Sequence, residues 1–466
     1  MSSDTPQADR ASGLKRVMGP KLLLLFIIGD ILGVGIYALT GQVAAEVGGA
    51  AWLPFLVAFF VAMLTAFSYL ELVTKYPQAA GAALYVHKAF GVHLFTFLVA
   101  FAVMCSGITS ASTASNAFAA NLATGVGWKA SDTALMLIAL LFMVLVMAIN
   151  LRGVGESVKA NVVLTLIELS GLVLVILVGF YAMSGGNADF SRIIAFDTPD
   201  DKNVFLAVTT ATSLAFFAMV GFEDSVNMAE ECHEPSKIFP RVMLTGLGIT
   251  AVIYVLVSIC AVALVPVGEL AASDTPLVEV VKAGAPNIPI DRILPFISMF
   301  AVANSALINM MMASRLLYGL SRQGVLPASL SRVHSRNQTP WAAIAFTTAL
   351  SFALIVYVSY ASEDAVAALG GTTALLLLGV FAVVNVAVLV LRRDRVEHSH
   401  FHTRTALAVV GAGSCLYLVT PLSGRSGEQY QIAGILLAFG LALSIPIYLH
   451  RRAQGGHLDM DVKNIS

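Results

Sequence analysis

Charged side chains are scarce in this chain. Asp, Glu, Lys and Arg make up only 12% of its 466 residues, against about 25% in an ordinary soluble domain. A chain of this length folding in water would form two or three domains with charged surfaces. The charges to cover such surfaces are missing, which excludes a soluble enzyme and a disordered protein. Cysteine is scarce too. Cys105, Cys232, Cys260 and Cys415 are scattered without disulfide-framework or metal-cluster spacing, which excludes a secreted disulfide scaffold. The formal net charge is −1, so no basic field for nucleic acid exists. Converging nucleophile, metal or cofactor motifs are also lacking, so an enzyme is not expected. What is abundant is apolar surface, at 58% of residues. The composition describes a polytopic membrane protein.

A helical span needs about 20 mostly apolar residues. Hydropathy punctuated by charge, Gly and Pro predicts twelve spans, over 21–45, 51–74, 91–122, 133–150, 159–183, 205–230, 241–266, 290–322, 340–360, 364–392, 405–423 and 430–450. They are too long and too evenly apolar for a barrel, and in lipid the backbone must satisfy itself internally, so they are read as helices. The first run continues as a span, so no cleavable signal is expected. With the N-terminus placed in the cytoplasm, the inside segments hold 21 Lys and Arg and the outside loops 6. That bias predicts this orientation, with both termini cytoplasmic.

Spans 1 and 6 are interrupted alike. Span 1 carries Gly29-Asp30-Ile31-Leu32-Gly33-Val34-Gly35-Ile36-Tyr37, and span 6 carries Phe216-Phe217-Ala218-Met219-Val220-Gly221-Phe222-Glu223-Asp224. Each puts glycine and an acid in mid-span. Discontinuous helices at corresponding positions of two halves mark the binding site in inverted-repeat transporters. Glycine lets the backbone unwind, and freed N–H groups at a half-helix N-terminus bind a carboxylate. Freed carbonyls receive an ammonium. Small residues for helix contact are the plainer reading of one such motif, but the pairing of the two outweighs it.

Four ordered motifs carry a resemblance. They are Gly33-Val34-Gly35-Ile36-Tyr37; Glu71, Pro77, Gly81 and Tyr85 around the end of span 2; Gly221-Phe222-Glu223 followed by Pro235 and Phe239-Pro240; and Ser314-Arg315-Leu316-Leu317-Tyr318-Gly319 at the end of span 8. Over nearly its whole length the chain resembles the amino acid–polyamine–organocation (APC) superfamily. The resemblance implies an all-α integral membrane protein with a LeuT-type fold. The first inverted repeat would be 21–183 (spans 1–5) and the second 205–392 (spans 6–10). Two further spans over 405–450 and cytoplasmic tails 1–20 and 451–466 would complete it. It also implies secondary transport of amino acids or related amines.

The expected substrate-binding residues are Asp30, Ile31, Gly33, Val34, Gly35, Ser106, Phe217, Ala218, Gly221 and Phe222. On span 3, Ser106 and Thr109 are the favoured pocket members among several small hydroxyl residues. A span-6 phenylalanine either gates the site or meets an ammonium through its ring. A charge near the bilayer centre is costly, which makes a buried acid a functional candidate. Glu223, Glu168 and Asp224 are therefore the expected coupling or gating residues. Burial favours a carboxyl's uncharged form, which suits Glu223 and Glu168 to take up and release a proton. Glu168 stands where many relatives carry lysine, so a lysine switch does not carry over; it either couples protons or only hydrogen-bonds between helices. Sodium coupling stays open through Asn304. No cofactor or metal is expected. His398, His400 and His402 alternate in the loop after span 10, and beside arginines they read as a solvated connector rather than metal ligands.

The leading expectation is a proton-coupled amino acid transporter of the plasma membrane, alternating access around spans 1 and 6. The alternative within transport is a polyamine or cationic amino acid carrier or exchanger, argued from Asp30, Glu223 and Asp224. A channel would need rings of polar residues, and a nutrient sensor a soluble output domain; neither is apparent. The expected partners are an amino acid or amine substrate and membrane lipid, with no nucleic acid and no obligate protein partner.

Overall fold

The computed structural model describes residues 18–453, apart from 79–80, 153–156, 200–201, 323–324, 336, 338 and 363. Most of the expected N-terminal tail, and of the C-terminal one, lies outside the described residues. Helices follow one another as α1 (Pro20–Ile31), α2 (Val34–Val47), α3 (Trp52–Lys75), α4 (Gly81–Phe90), α5 (His93–Gly125), α6 (Asp132–Arg152), α7 (Ser157–Ser184) and α8 (Val204–Ala215). After α8 come α9 (Pro235–Leu264), α10 (Val267–Ala271), α11 (Pro276–Gly284), α12 (Leu294–Arg322), α13 (Trp341–Ala361), α14 (Ala365–Leu391), α15 (Thr405–Val419) and α16 (Gly427–Ala453).

Eleven segments among the described residues are long and apolar enough to cross a membrane, and Pro20–Val47 and Val204–Ala229 each count as one despite an internal break. Thr405–Val419, inside the expected eleventh span, is apolar but only 15 residues long. At 1.5 Å per residue it reaches about 22 Å, less than the ~30 Å hydrocarbon core. Pro421 and the tight turn Pro421–Ser423 stop it, because proline has no N–H to continue the ladder.

Burial sorts the helices into an inner and an outer set. The stretch Pro20–Val47 is almost wholly enclosed, whereas α6 turns Leu137, Leu141 and Leu145 outward. On α6 these leucines recur every four residues, the spacing of one helix face. In lipid such a face needs no burial in protein. The inner set is α1, α2, α8 and their neighbours: α1 packs on α7 and α9, α2 on α8, and α12 runs along α5. Polar side chains tie inner helices together. Asn385 on α14 accepts from Ser68 Oγ at 2.6 Å and donates to Thr65 Oγ1 at 3.0 Å, both on α3. Such pairs satisfy groups that lipid would leave bare.

Candidate functional site

Both interruptions expected from the glycines are present, and they face each other. In the first, α1 gives way at Leu32 and Gly33, and Gly33 adopts φ −43° and ψ −146°. No side chain caps α2 at that point, so its first-turn N–H groups are left for another acceptor. On the other side of the break, the Tyr254 hydroxyl donates to the Ile31 carbonyl at 2.6 Å. In the second interruption, α8 tightens into a 3-10 turn over Phe216–Met219, Val220 is extended, and Gly221 takes φ +124°. A second 3-10 stretch, Asp224–Glu231, carries the chain onward.

Glycine is required at these breaks by close approach. A Cβ on Gly221 would lie 2.7 Å from the Asp30 carbonyl oxygen. One on Gly33 would lie 2.9 Å from Ser305 Oγ, and one on Gly29 would overlap the Thr165 hydroxyl. The two breaks therefore touch main chain to main chain, and the Gly29 backbone packs on the Thr165 side chain of α7.

Between the breaks lies a cavity of about 20 Å³. That is on the order of one water, so the site is nearly closed. Asp30, Ile31, Gly33, Val34 and Gly35 form its wall on the first broken segment. Phe217, Val220, Gly221 and Asp224 form it on the second. Ser110 on α5 and Ser305 and Asn309 on α12 complete the wall.

The other expected residues lie close by in different settings. Ser106 donates to the Val103 carbonyl at 2.7 Å, and the α5 residue on the wall is Ser110, about one turn further on. Thr109 pairs with Thr373 of α14 at 2.7 Å. Ala218 packs its backbone against Gly35. Phe222 sits edge-on to Tyr69, with ring centroids 5.9 Å apart, in an aromatic cluster with Phe381. Glu223 turns back on its own turn, where Oε2 accepts the Gly221 N–H at 2.9 Å. Glu168 is fully buried on α7 with no hydrogen-bond partner for either carboxylate oxygen among the described residues, while its main-chain carbonyl accepts the Tyr37 hydroxyl at 2.9 Å. Asp30 Oδ2 is likewise buried and unpartnered. Near them, Asn161 donates to Asn304 Oδ1 at 3.5 Å.

Toward one end of the bundle a vestibule of about 650 Å³ opens between α2, α8, α14 and the segment before α16. Its wall holds three partnered acids, among them Glu428, whose Oε2 accepts from Ser362 at 3.1 Å. Gln42 donates to Asp364 Oδ2 at 2.9 Å, and Glu46 pairs with Lys202 at 2.7 Å. It also holds Arg425, buried to 6% exposure and, among the described residues, bonded only to uncharged acceptors: Gly371 O at 2.8 Å, Gln429 Oε1 at 2.7 Å, Leu418 O at 3.0 Å and Ser213 O at 3.3 Å. Burial pushes its guanidinium down to about 10.

The opposite end is closed by charge. Glu71 on α3 meets Arg392, just after α14, through two hydrogen bonds of 3.0 and 2.9 Å. Lys75 donates to the Leu391 carbonyl at 2.6 Å, and the Tyr76 hydroxyl bonds Asp394.

Two facing helix breaks around a small polar cavity, with a vestibule at one end and a partly buried ion pair at the other, are the layout of a carrier. The amino acid permease family matches residues 20–440. The chain belongs to that family. Three relatives show how widely it ranges. The methylthioribose transporter of Bacillus subtilis is 26% identical over 444 residues, covering 91% of this permease and 92% of that protein. The branched-chain amino acid permease BcaP of the same organism is 26% identical over 398 residues, 82% of each chain. Cationic amino acid transporter 9, chloroplastic, of Arabidopsis thaliana is 26% identical over 352 residues, 72% of this permease and 60% of that protein. This permease is therefore a multi-pass membrane transporter and not an enzyme.

Proposed function

We propose that this permease is a proton-coupled secondary transporter of amino acids. It would alternate access around the breaks at Gly33 and Gly221, on a twelve-span LeuT-type scaffold in the plasma membrane with both termini cytoplasmic. The observation that carries the reading is the pair of unwound segments lining one closed cavity. The uncapped first turn of α2 offers N–H donors and a positive dipole end to a substrate carboxylate. The main chain around Val220 and Gly221 offers carbonyls to its ammonium. Ser110, Ser305 and Asn309 face the rest of the molecule and have the reach to select it. Opening the closed end requires parting Glu71 from Arg392, while the vestibule marks the other route.

For coupling, Glu168 and Glu223 carry the proton in this reading. An isolated carboxylate as enclosed as Glu168 would be costly, so proton release waits for a conformation that admits water. Glu223 holds the Gly221 turn through one oxygen, so a change in its charge acts directly on the second break. Asp224 lines the cavity and senses what occupies it.

One observation favours a second reading, a cationic amino acid or polyamine. Asp30 and Asp224 both line the cavity, and Asp30 Oδ2 has no partner among the described residues. The relatives named above are a branched-chain amino acid permease, a cationic amino acid transporter and a methylthioribose transporter, so similarity at this level does not choose between the two readings.

Purified protein in liposomes separates these readings. Radiolabelled neutral amino acids, basic amino acids and polyamines would be offered with and without an inward proton gradient, in sodium-free buffer. Accumulation of a neutral amino acid that collapses with a protonophore is the expected outcome. Uptake confined to basic substrates selects the second reading. Uptake that ignores the gradient and needs a loaded interior identifies an exchanger and removes the coupling roles given to Glu168 and Glu223. A requirement for sodium does the same and moves attention to Asn304.

A further inference from the structure

The sequence presents His398, His400 and His402 as alternating residues of a polar connection, and the structure divides them. The connection between α14 and α15 lies as a strap across the end of α3. His398 Nε2 meets the Thr74 carbonyl at 3.2 Å, the Phe401 N–H donates to Thr74 Oγ1 at 2.9 Å, and the Thr403 N–H donates to Glu71 Oε2 at 2.8 Å. Arg392 holds the far edge, donating to the Thr403 carbonyl at 2.6 Å. His398 is thus used up as an anchor. His400 and His402 are not.

Those two imidazoles converge on Glu71. One ligand atom from each of Glu71, His400 and His402 lies within 4.8 Å of the other two. His402 Nδ1 is 3.5 Å from Glu71 Oε1. His400 turns Nδ1 toward the His398 carbonyl at 3.5 Å, while its Nε2 is buried with no partner among the described residues. A proton on Nδ1 leaves the Nε2 lone pair free. A ring nitrogen directed at a main-chain carbonyl, with the other nitrogen bare, is how metal-ligating histidines are oriented.

We propose that Glu71, His400 and His402 form a binding site for a divalent transition-metal ion, with zinc the best match, at the closed end of the bundle. Two imidazoles and one carboxylate suit zinc or its first-row neighbours better than magnesium or calcium, which prefer oxygen. Three protein ligands leave a fourth position for water. Zinc bonds of about 2.0–2.1 Å place neighbouring ligand atoms about 3.3 Å apart. The His402–Glu71 pair is already near that. The remaining closure is that of His400, which is half-buried on a strap whose residues 397–399 are exposed, since Glu71 is 1% exposed and fixed. Arg392 does not block the site. It takes one acceptor direction of Oε1 and shares Oε2 with the Thr403 N–H, which leaves the second direction of Oε1 facing His402. An occupied site would bolt the strap to α3, across the contact that has to part if this end opens. The metal site itself does not depend on the identity of the transported substrate.

The test is zinc binding to the full-length protein carrying no polyhistidine tag. Titration calorimetry with zinc chloride is expected to give one saturable site of micromolar or tighter affinity. Cobalt(II) is expected to give the intense visible absorption of a four-coordinate ion. His402→Ala changes an exposed side chain and is expected to weaken binding at least tenfold. The His400→Ala/His402→Ala double variant is expected to abolish it, while His398→Ala keeps the stoichiometry. No saturable zinc binding by the wild type would overturn the proposal. So would unchanged affinity in the His402 variant, or a weakly absorbing six-coordinate cobalt spectrum. The cobalt reading is taken on the wild type, so it stands even where a variant fails to fold.

Discussion

Gly35 of the first broken segment and Ala218 of the second touch main chain to main chain: a Cβ on Gly35 would lie 2.5 Å from the Ala218 Cα. The contact is local, but it sets the distance between two helices that are each interrupted beside it. Any side chain at position 35 would drive the breaks apart and deform the cavity they line. Gly35→Ala is expected to reduce uptake at least tenfold in cells or liposomes. Thermal unfolding followed in parallel separates lost geometry from lost protein. Uptake within twofold of wild type would mean that the two segments slide freely, which the contact forbids.

At Gly221 the constraint is conformational as well as steric. With φ at +124° and the Asp30 carbonyl oxygen 2.7 Å from a built Cβ, alanine there meets both a disfavoured backbone region and an overlap. A backbone held in such a region costs on the order of 1–3 kcal/mol. Gly221→Ala is expected to lower the midpoint of thermal unfolding as well as uptake, measured on protein purified in the same detergent.

On α5 the prediction separates two serines about one helical turn apart. Ser110 lines the cavity, whereas Ser106 returns its hydroxyl to its own helix. Ser110→Leu should abolish uptake and, because it overfills a cavity with room for about one water, also lower the unfolding midpoint, while Ser110→Ala should shift KM more than the maximal rate. Ser106→Ala should leave both within about twofold. A reversal of these two positions in a transport assay would show that α5 is rotated from the orientation described.

Glu168→Gln removes the ionisable proton and keeps the shape. In the proton-coupled reading it is expected to preserve counterflow exchange of substrate while losing accumulation driven by a proton gradient. The two are measured side by side in liposomes. Loss of both would make Glu168 a structural group, in keeping with its full burial on α7.

Asp274, in the connection before α11, gives a pH-dependent prediction. Asp274 is exposed at the surface, and partial desolvation with the Asp364 and Asp132 carboxylates nearby holds its carboxyl above the ordinary range. A raised folded-state value means that ionisation disfavours the fold. The penalty is present in full above that value and absent well below the unfolded value of about 3.9. Asp274→Asn is therefore expected to stabilise the protein at neutral pH, with the gain disappearing as the pH falls below about 4. Thermal unfolding across that range checks it.

Much of the architecture is legible in the chain itself. Apolar runs must become helices in lipid, because nothing else there satisfies the backbone. The glycines at 33, 35 and 221 announce where two of those helices open. Helix ends near charge and proline follow from the same local chemistry. Thr405–Val419 has one such end, stopped short of a full span where Pro421 begins a turn.

The sequence by itself thus determined an all-helical membrane chain, its family resemblance and the position of both breaks, because each depends on properties of neighbouring residues. Tertiary structure alone decided which faces turn inward. Ser110 rather than Ser106 lines the cavity, Ser305 and Asn309 join it from α12, and Glu223 turns back onto Gly221. Rotation of a helix about its axis is set by the neighbours it packs against, and in a uniformly apolar helix no hydrophobic stripe records it. Packing likewise brought His402 to Glu71 across more than three hundred residues of chain. A pattern read along one segment has no means of expressing a meeting between two.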